Sequence, residues 1–229
     1  MRDFFTNRAE QLMAWVVPDI DACRRLAMEV RTRDPNASPE HLAKELIRYT
    51  KKQGATVGGV TGLASSPMTA VPAALADIAA MLKIEGTMAG GIAALLDPAS
   101  LDDPDRFRAD ILAIAFPAAF SQAMRQIGIR AGEQLTKNLV RRAVGKGSLE
   151  SIFRVVSRLL GARLTGRSLA RSVPLVGAGI GAGWNWMEVE GVGRRAIGYY
   201  RGEPMGVSRL KSLGQKMLPK RFRSDSGQQ

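Results

Sequence analysis

Three features of the sequence predict an all-α fold, arranged as a single compact bundle of several helices. Apolar residues recur at the three- and four-residue spacing of helices along most of the chain. No segment alternates between apolar and polar residues as a half-buried strand does. Alanine and glycine are plentiful, whereas aromatic residues make up only 6% of the 229 residues, so we expect helices that pack closely.

Local signals place the helices in order along the chain. Pro18 suits the first turn of a second helix, and Ser38 is a cap for the third. Asp103 caps a later helix, which we expect to kink at Pro117. The predicted helices cover residues 3–17, 18–30, 39–49, 72–96, 104–117, 121–144, 149–165, 174–201 (with an interruption allowed near Gly191) and 207–218.

Composition fits one folded domain. Hydrophobic residues make up 45% of the chain and charged residues 24%, as in a globular protein with a sizeable core. The lone Cys23 excludes an intrachain disulfide, which favours a reducing cytoplasm, and we expect it to be a small buried hydrophobe. Charged residues interrupt the first twenty positions, so the sequence predicts no secretory signal.

Glycines at helical spacing predict close contacts between helices. Over residues 177–183 they fall at every second position, which superimposes two pairs that are four residues apart. Such pairs form a groove in which another backbone can approach closely. A second face of this kind runs over residues 54–62. The residues predicted to form these grooves are Gly54, Gly58, Gly62, Gly177, Gly179, Gly181 and Gly183.

Polar and aromatic residues beside these segments have two interpretations each. Asp77 and Asn185 border apolar stretches, where an unpaired polar group is costly. We favour hydrogen bonds to a neighbouring helix, with Arg194 or Arg195 as a partner for Asp77, over a polar spot in a cavity. Four rings lie either at a membrane headgroup boundary or in an ordinary core. They belong to Trp184, Trp186, Tyr199 and Tyr200.

Two blocks of sequence resemble the EcsC protein family of bacteria. Residues 171–202 combine a proline start, a glycine-alternating helix, Asn185 beside tryptophans, and a closing Tyr199-Tyr200. Residues 54–82 form the other block. The family pattern often has a lysine directly before the proline, where this chain has Ser172 and Val173. The resemblance implies a helical bacterial protein without an established biochemical activity.

The resemblance also suggests how the chain is divided. An EcsC-like helical domain is predicted over residues 1–205, with its family-like core at about 50–202. Residues 206–229 are predicted to form a basic amphipathic helix and a polar tail. Residues 53–76 are uncharged and long enough to cross a bilayer. Pro67, Pro72 and the scarcity of leucine and isoleucine argue against a spanning helix there.

Charge is divided unevenly along the chain. Residues 1–120 carry 13 basic and 15 acidic side chains, whereas residues 121–229 carry 20 basic and 6 acidic ones. The C-terminal half is therefore expected to be drawn to polyanions, either anionic lipid or nucleic acid. This asymmetry indicates a surface partner.

Two basic segments also have an apolar side, as helices at a membrane interface do. Arginines recur along residues 154–171 beside Leu149 and Phe153, and residues 209–223 contain six basic residues and no acid. Each basic residue near an anionic surface contributes about 1 kcal/mol to binding. The simpler alternative is a solvated face on a core helix. The predicted lipid- or anion-binding residues are Arg154, Arg158, Arg163, Arg167, Arg171, Arg209, Lys211, Lys216, Lys220, Arg221 and Arg223.

The sequence offers little catalytic chemistry. His41 and Cys23 are the sole histidine and thiol, so a Cys–His nucleophile pair is not supported. No nucleophile elbow, phosphate loop or metal-ligand spacing is present. His41 is expected to face solvent, and the aspartates of residues 97–105 to cap helices instead of binding a cation. We therefore expect no catalytic residue, no metal site and no cofactor.

Together these features predict a cytoplasmic protein that lies peripherally on the inner face of a bacterial membrane and binds anionic lipid. The shortage of bulky side chains along residues 54–96 and 173–187 adds the hypothesis of an apolar cavity that accommodates lipid. A membrane protein or a second copy of the chain is a further candidate partner. The alternatives are a nucleic-acid-binding protein that uses the Arg-rich half and a hydrolase that uses carboxylates such as Asp77.

Overall fold

The computed structural model of this protein describes residues 16–61, 67–129, 134–144, 149–157 and 176–206. Side chains are described at all of these positions except 58–61, 67–75, 77, 176–181 and 184. Residues 3–15 of the helix predicted over 3–17, the helix predicted over 207–218, and residues 158–165 of the helix predicted over 149–165 lie outside these ranges.

The described fold is all-α, as the sequence predicts, and also contains one very small antiparallel strand pair. The helices are α1 (Ile20–Arg33), α2 (Pro39–Thr61), α3 (Pro67–Leu96), α4 (Pro104–Ala115), α5 (Pro117–Gln126), α6 (Lys137–Val144), α7 (residues 149–157) and α8 (Val176–Tyr200). A 3-10 turn over Pro98–Leu101 joins α3 to α4. The strands are β1 (Gln134–Leu135) and β2 (Met205–Gly206).

Three long helices form the centre of the bundle. α8 packs along α2 and against α3, and α1 covers the outer side of α3. The second half of α4 is enclosed by the bundle, because every residue from Ala109 to Ile114 is buried. Its neighbours are α3, α5, α6 and α8.

Side-chain caps fix the starts of several helices. Ser38 Oγ accepts a hydrogen bond from His41 N at 3.2 Å, and Asp103 Oδ1 accepts from the backbone of Asp105 and Arg106, so both predicted caps are confirmed. Pro18 does not enter a helix, because Asp19 is the N-cap of α1.

Proline and glycine positions accompany three corrections to the predicted helix ends. α3 begins at Pro67 and includes Pro72, whereas the sequence analysis began this helix at Pro72. The single helix predicted over 121–144 is wrong: α5 ends at Gln126, and Gly128 turns the chain with a φ of +79° before β1 and α6. At Pro117 the chain starts a new helix instead of kinking one.

The apolar segment suspected of crossing a membrane falls partly in two described helices. Residues 53–61 lie in α2 and residues 67–76 lie in α3, and residues 62–66 lie outside the described residues. In the described part of the chain, the helical segment that is long and apolar enough to span a bilayer is instead Ile78–Leu96. Core helices of the same length and composition occur in folded domains, and 61% of this segment is buried here.

Small residues do allow close helix contacts, although partly at other positions than the grooves predicted. A Cβ added to Gly54 would lie 3.1 Å from Val189 Cγ2, so α2 and α8 meet closely there, as predicted. Gly183 is exposed with open space around it, so it does not belong to a packing groove. Gly86, Gly90 and Gly193 are the tighter sites, against Val16, Cys23 and Ile47. Gly177, Gly179 and Gly181 lie in α8 and Gly58 lies in α2, but their surroundings, and Gly62 altogether, are outside the described residues.

Candidate functional site

The basic residues predicted to meet lipid fall almost entirely outside the described residues. Within them lies Arg154, an exposed side chain on α7. Arg158 and all the other predicted members of this set lie beyond the described part of α7 or after residue 206. The geometry of the basic face can therefore be examined at Arg154 and its neighbours on α7.

Arg154 lines a groove between the start of α1, α4 and α7. The groove encloses about 760 Å³. Its half-buried apolar walls include Val17, Ile20, Leu149 and Phe153. Leu149 and Phe153 lie four residues apart, so they are on one face of α7, and this face lines the groove.

Charges of both signs surround this groove. Arg108 lies on the side formed by α4, Arg154 and Glu150 lie on α7, and Asp19 and Asp21 lie at the start of α1. Arg108 Nη1 is 3.8 Å from the Asp105 carboxylate, and both side chains are exposed, so this ion pair contributes little to stability. The groove therefore combines apolar walls with the exposed basic side chain of Arg154.

A second candidate site is a buried polar cluster where α4, α6 and the end of α8 meet. The β1–β2 pair brings Leu135 opposite Met205, which holds the start of α6 beside the end of α8. This pairing joins residues that are far apart in sequence. It places the cluster between four chain segments, and its members are Asp97, Ser100, Asp110, Lys137, Arg141, Tyr199 and Tyr200.

Asp110 is the centre of the cluster. Its side chain is only 1% exposed, and its Oδ1 accepts a hydrogen bond from the Tyr199 hydroxyl. Lys137 forms an ion pair with Asp97, and its Nζ lies 5.6 Å from the centre of the Tyr200 ring. The rings of Tyr199 and Tyr200 meet edge to face at 5.3 Å.

Burial dominates the proton affinities in this cluster. It raises the pKa of Asp110 to about 6, although the Tyr199 hydrogen bond and the cations Lys137 and Arg141 act in the opposite direction. Asp97 raises the Asp110 pKa slightly further. Burial followed by the nearby Asp110 carboxylate also holds the pKa of Tyr199 well above its ordinary value. Both tyrosines are therefore neutral hydrogen-bonding groups in this fold.

Several buried polar atoms of the cluster lack a protein hydrogen-bond partner. These atoms are Asp110 Oδ2, Arg141 Nε, Ser100 Oγ and Tyr200 Oη. The nearby Ser100 hydroxyl lowers the pKa of Tyr200, against the larger effect of burial. The geometry of the two hydroxyls is nevertheless not that of a hydrogen bond. Such a concentration is unusual, because most buried polar groups in native proteins are paired.

The aromatic and polar residues singled out in the sequence have different surroundings. Tyr199 and Tyr200 are buried in the core, which contradicts a position at a membrane headgroup boundary. Trp186 is 39% exposed, and Lys51 Nζ lies 4.4 Å from the centre of its ring. Trp184 and Asp77 lie in helices, but their side chains are outside the described residues.

Asn185, Arg194 and Arg195 of α8 each have a polar partner in the described fold. Asn185 is buried and donates to the carbonyl oxygen of Gly54, which confirms the structural role favoured for it. Arg194 pairs with Glu190, one turn earlier on the same helix. Arg195 is largely buried and donates from Nε to the carbonyl oxygen of Ile114 at 2.8 Å, near the C-terminal end of α4.

Nucleophilic and metal chemistry finds no support among the described residues. Burial, and secondarily the Asp19 carboxylate, raises the pKa of the Cys23 thiol to about 12, so it is unreactive at neutral pH. His41 is exposed on α2. The described residues contain no group of three His, Cys, Asp or Glu side chains that could hold a metal ion.

Asp110 was not predicted as a site residue, although the sequence carries a signal for it. Asp110 stands in the run from Ala109 to Ile114, in which all the remaining residues are apolar. The partners of Asp110 come from α6 and α8 and depend on long-range packing, so spacing alone does not reveal them.

Comparison with protein-family models, curated proteins and solved structures finds no match for this chain. The resemblance to the EcsC family therefore rests on the two sequence blocks, 54–82 and 171–202.

Proposed function

We propose that this protein lies peripherally on an anionic membrane surface and binds lipid through its basic C-terminal half. The observation that carries the proposal is the groove between α1, α4 and α7, where the exposed Arg154 stands beside the apolar Leu149 and Phe153. An amphipathic helix with basic residues beside an apolar face binds at the membrane interface.

The size of the groove supports an amphiphilic occupant. Its volume of about 760 Å³ falls in the range of roughly 300–1,000 Å³ that is typical of small-ligand sites. An acyl chain inserted between α4 and α7 would meet apolar side chains, while its headgroup remained near Arg154. The EcsC resemblance and the charge asymmetry suggest the cytoplasmic face of a bacterial inner membrane as the location.

Part of the basic half is already committed to pairing within the fold. Lys137 pairs with Asp97, and Arg201 lies 3.4 Å from the Glu40 carboxylate. These two cations are therefore poorer candidates for lipid contact than Arg154, for which the structure describes no ion pair. A protein of the membrane or a second copy of the chain is proposed as a further partner.

Vesicle flotation tests this proposal directly. Vesicles rich in phosphatidylglycerol should carry the protein upward at low salt, phosphatidylcholine vesicles should not, and added salt should release it. A gel-shift with duplex DNA and single-stranded RNA at the same salt concentrations addresses the nucleic-acid alternative. Nucleic-acid binding without flotation would overturn the membrane proposal, and so would the absence of flotation at low salt.

A further inference from the structure

Uncharged stretches occur at one terminus of each of the three long central helices. Residues 53–61 close α2, residues 67–76 open α3 and residues 176–187 open α8, and none of these residues is acidic or basic. The charged residues that border these stretches are Lys52, Asp77 and Glu188.

Close contacts bring the borders of the three stretches together. A Cβ added to Gly54 of α2 would lie 3.1 Å from Val189 Cγ2 of α8 and 3.3 Å from Met81 Cε of α3. The three helices therefore meet at the level of Gly54, where the uncharged stretch of α2 begins.

Two further contacts fix the directions of the helices. Earlier in α2, Leu46 lies against Gly91 of α3 and Ile47 lies against Gly193 of α8. As α2 runs from these residues to Gly54, its partners run backwards in number, so α3 and α8 are both antiparallel to α2. The end of α2 and the starts of α3 and α8 therefore extend toward the same end of the bundle, which we call the uncharged end.

Described residues of all three helices are exposed at the uncharged end. They include Thr56 of α2, Ala76 of α3 and Gly183 of α8. Trp186 and Met187 are also exposed, and they lie three and four residues after Gly183, so the three residues share one face of α8. An exposed apolar patch with a polar border is typical of a contact with a protein or a membrane.

The border of the uncharged end has the side chains that are typical of a membrane interface. Trp186 has Lys51 Nζ 4.4 Å from its ring centre, and tryptophan is enriched where a bilayer meets water. Lys52 and Lys83 are exposed and line one groove between α1, α2 and α3. Their positive charges suit anionic headgroups.

The acidic residues of α8 at this border face cations of the fold. Glu190 is paired with Lys51 and Arg194. Burial lowers the pKa of Arg195, and the nearby carboxylates of Glu85 and Glu188 act in the opposite direction. These carboxylates are therefore partly balanced before any surface is bound.

The length of the uncharged end distinguishes insertion from spanning. Its stretches of nine to twelve residues correspond to roughly 14–18 Å of helix. Half of the hydrocarbon core of a bilayer is about 15 Å thick. The uncharged end is therefore long enough to enter one leaflet and too short to cross a membrane.

We propose that the uncharged end of α2, α3 and α8 inserts into one leaflet of an anionic membrane, with Trp186, Lys52 and Lys83 at the level of the headgroups. This inference rests on the proposed membrane association and identifies the part of the fold that enters the lipid. A helical backbone suits this environment because its hydrogen bonds are made within each helix.

Matched cysteine variants of the full-length protein test the inference. Thr56 and Thr32 are both exposed, and each hydroxyl donates to the carbonyl oxygen four residues earlier, at 3.0 and 2.9 Å. Thr56 belongs to the uncharged end, whereas Thr32 lies on α1. Cys23 is fully buried, so a nitrobenzoxadiazole label should react with the cysteine introduced by Thr56→Cys or Thr32→Cys and not with Cys23.

Phosphatidylglycerol vesicles should shift the emission of the label in Thr56→Cys to the blue, and nitroxides on the acyl chains should quench it. The label in Thr32→Cys should change little. Gly183→Cys should repeat the result from α8, because a Cβ at this position meets nothing within 4 Å and the fold should tolerate it.

The outcomes separate this inference from the proposed function. Flotation with unshifted labels at positions 56 and 183 would reject insertion of the uncharged end and leave membrane binding in place. Absence of flotation would reject both. A blue-shifted label without vesicles, together with a dimer in light scattering, would mean that a second copy of the chain covers this end, and insertion would again be rejected.

Discussion

Asn185 Nδ2 lies 3.3 Å from the backbone carbonyl oxygen of Gly54, so a polar side chain of α8 is bound to the backbone of α2 where the two helices pack closely. Asn185 is 1% exposed, and a Cβ on Gly54 would crowd Val189.

Replacement of Asn185 by Ala should lower the free energy of unfolding by about 1–3 kcal/mol. Urea denaturation measures this change. Met187→Ala, on the exposed side of the same helix, should have a much smaller effect; equal losses would mean that the amide has no special role.

Glycine at position 90 is required by packing. An added Cβ would clash with Cys23 and would lie 3.1 Å from Phe107 Cζ, and both of these residues are fully buried. We expect Gly90→Ala to lower the free energy of unfolding by about 1–3 kcal/mol because of overpacking.

Gly183→Ala is the matched control for this substitution. Position 183 is exposed and helical, and nothing lies within 4 Å of an added Cβ. Alanine should therefore stabilise the helix, by up to about 1 kcal/mol. Thermal unfolding of both variants checks the contrast, and a destabilising Gly183→Ala would show that this part of α8 is packed after all.

The buried Asp110 carboxyl predicts an unusual pH dependence of stability. Its pKa is about 6 in the fold, above the ordinary value of 3.8, so the folded protein binds this proton more tightly than the unfolded chain does. The stabilising contribution is complete below about pH 4 and is lost as the pH rises through about 6. The difference corresponds to roughly 3 kcal/mol.

Asp110→Asn removes this titration and keeps an oxygen that can accept from Tyr199. Compared with the wild-type protein, the variant should gain relative stability as the pH rises from about 4 to about 7. Denaturant midpoints measured across this range provide the test. A difference between the two proteins that does not change with pH would contradict a buried, proton-binding Asp110.

Glu190 should behave in the opposite direction. Hydrogen bonds from Lys51 and then Arg194, which outweigh partial burial, hold the Glu190 pKa below its ordinary value. Its stabilising contribution is therefore present at neutral pH and is lost as the pH falls through that lowered pKa. Glu190→Gln should destabilise the protein at neutral pH and have less effect in acid. A constant loss at all pH values would show that the charge of Glu190 is unimportant.

Local chemistry in the sequence was sufficient to predict much of the fold. The Ser38 and Asp103 caps follow from residue type and position, and the helical extent of α8 follows from its apolar run and its glycines. The β1–β2 pair was not predictable, because two-residue strands carry no periodic signal and pair across some 70 residues of sequence.

The candidate sites were predictable only in part. Helical spacing predicted that Arg154 and Phe153 lie on one short helix, and they do. The cluster around Asp110 depends on the packing of α6 and α8 against α4, which spacing within a segment does not encode. Gly183 was wrongly assigned to a groove because glycine spacing identifies a face on which a close approach is possible without showing that another helix occupies it.

Flotation of charge-reversal variants on anionic vesicles tests the proposed membrane function most directly. Arg154→Glu changes the charge beside the apolar groove, whereas Arg31→Glu makes the same change of charge at an exposed position of α1, more than two turns beyond the groove. At low salt we expect Arg154→Glu to weaken binding on the order of tenfold, since each basic residue at the surface is worth about 1 kcal/mol, and Arg31→Glu to bind nearly as the wild-type protein does. Equal weakening by both substitutions, or no effect of either, would contradict a membrane-binding face at α7.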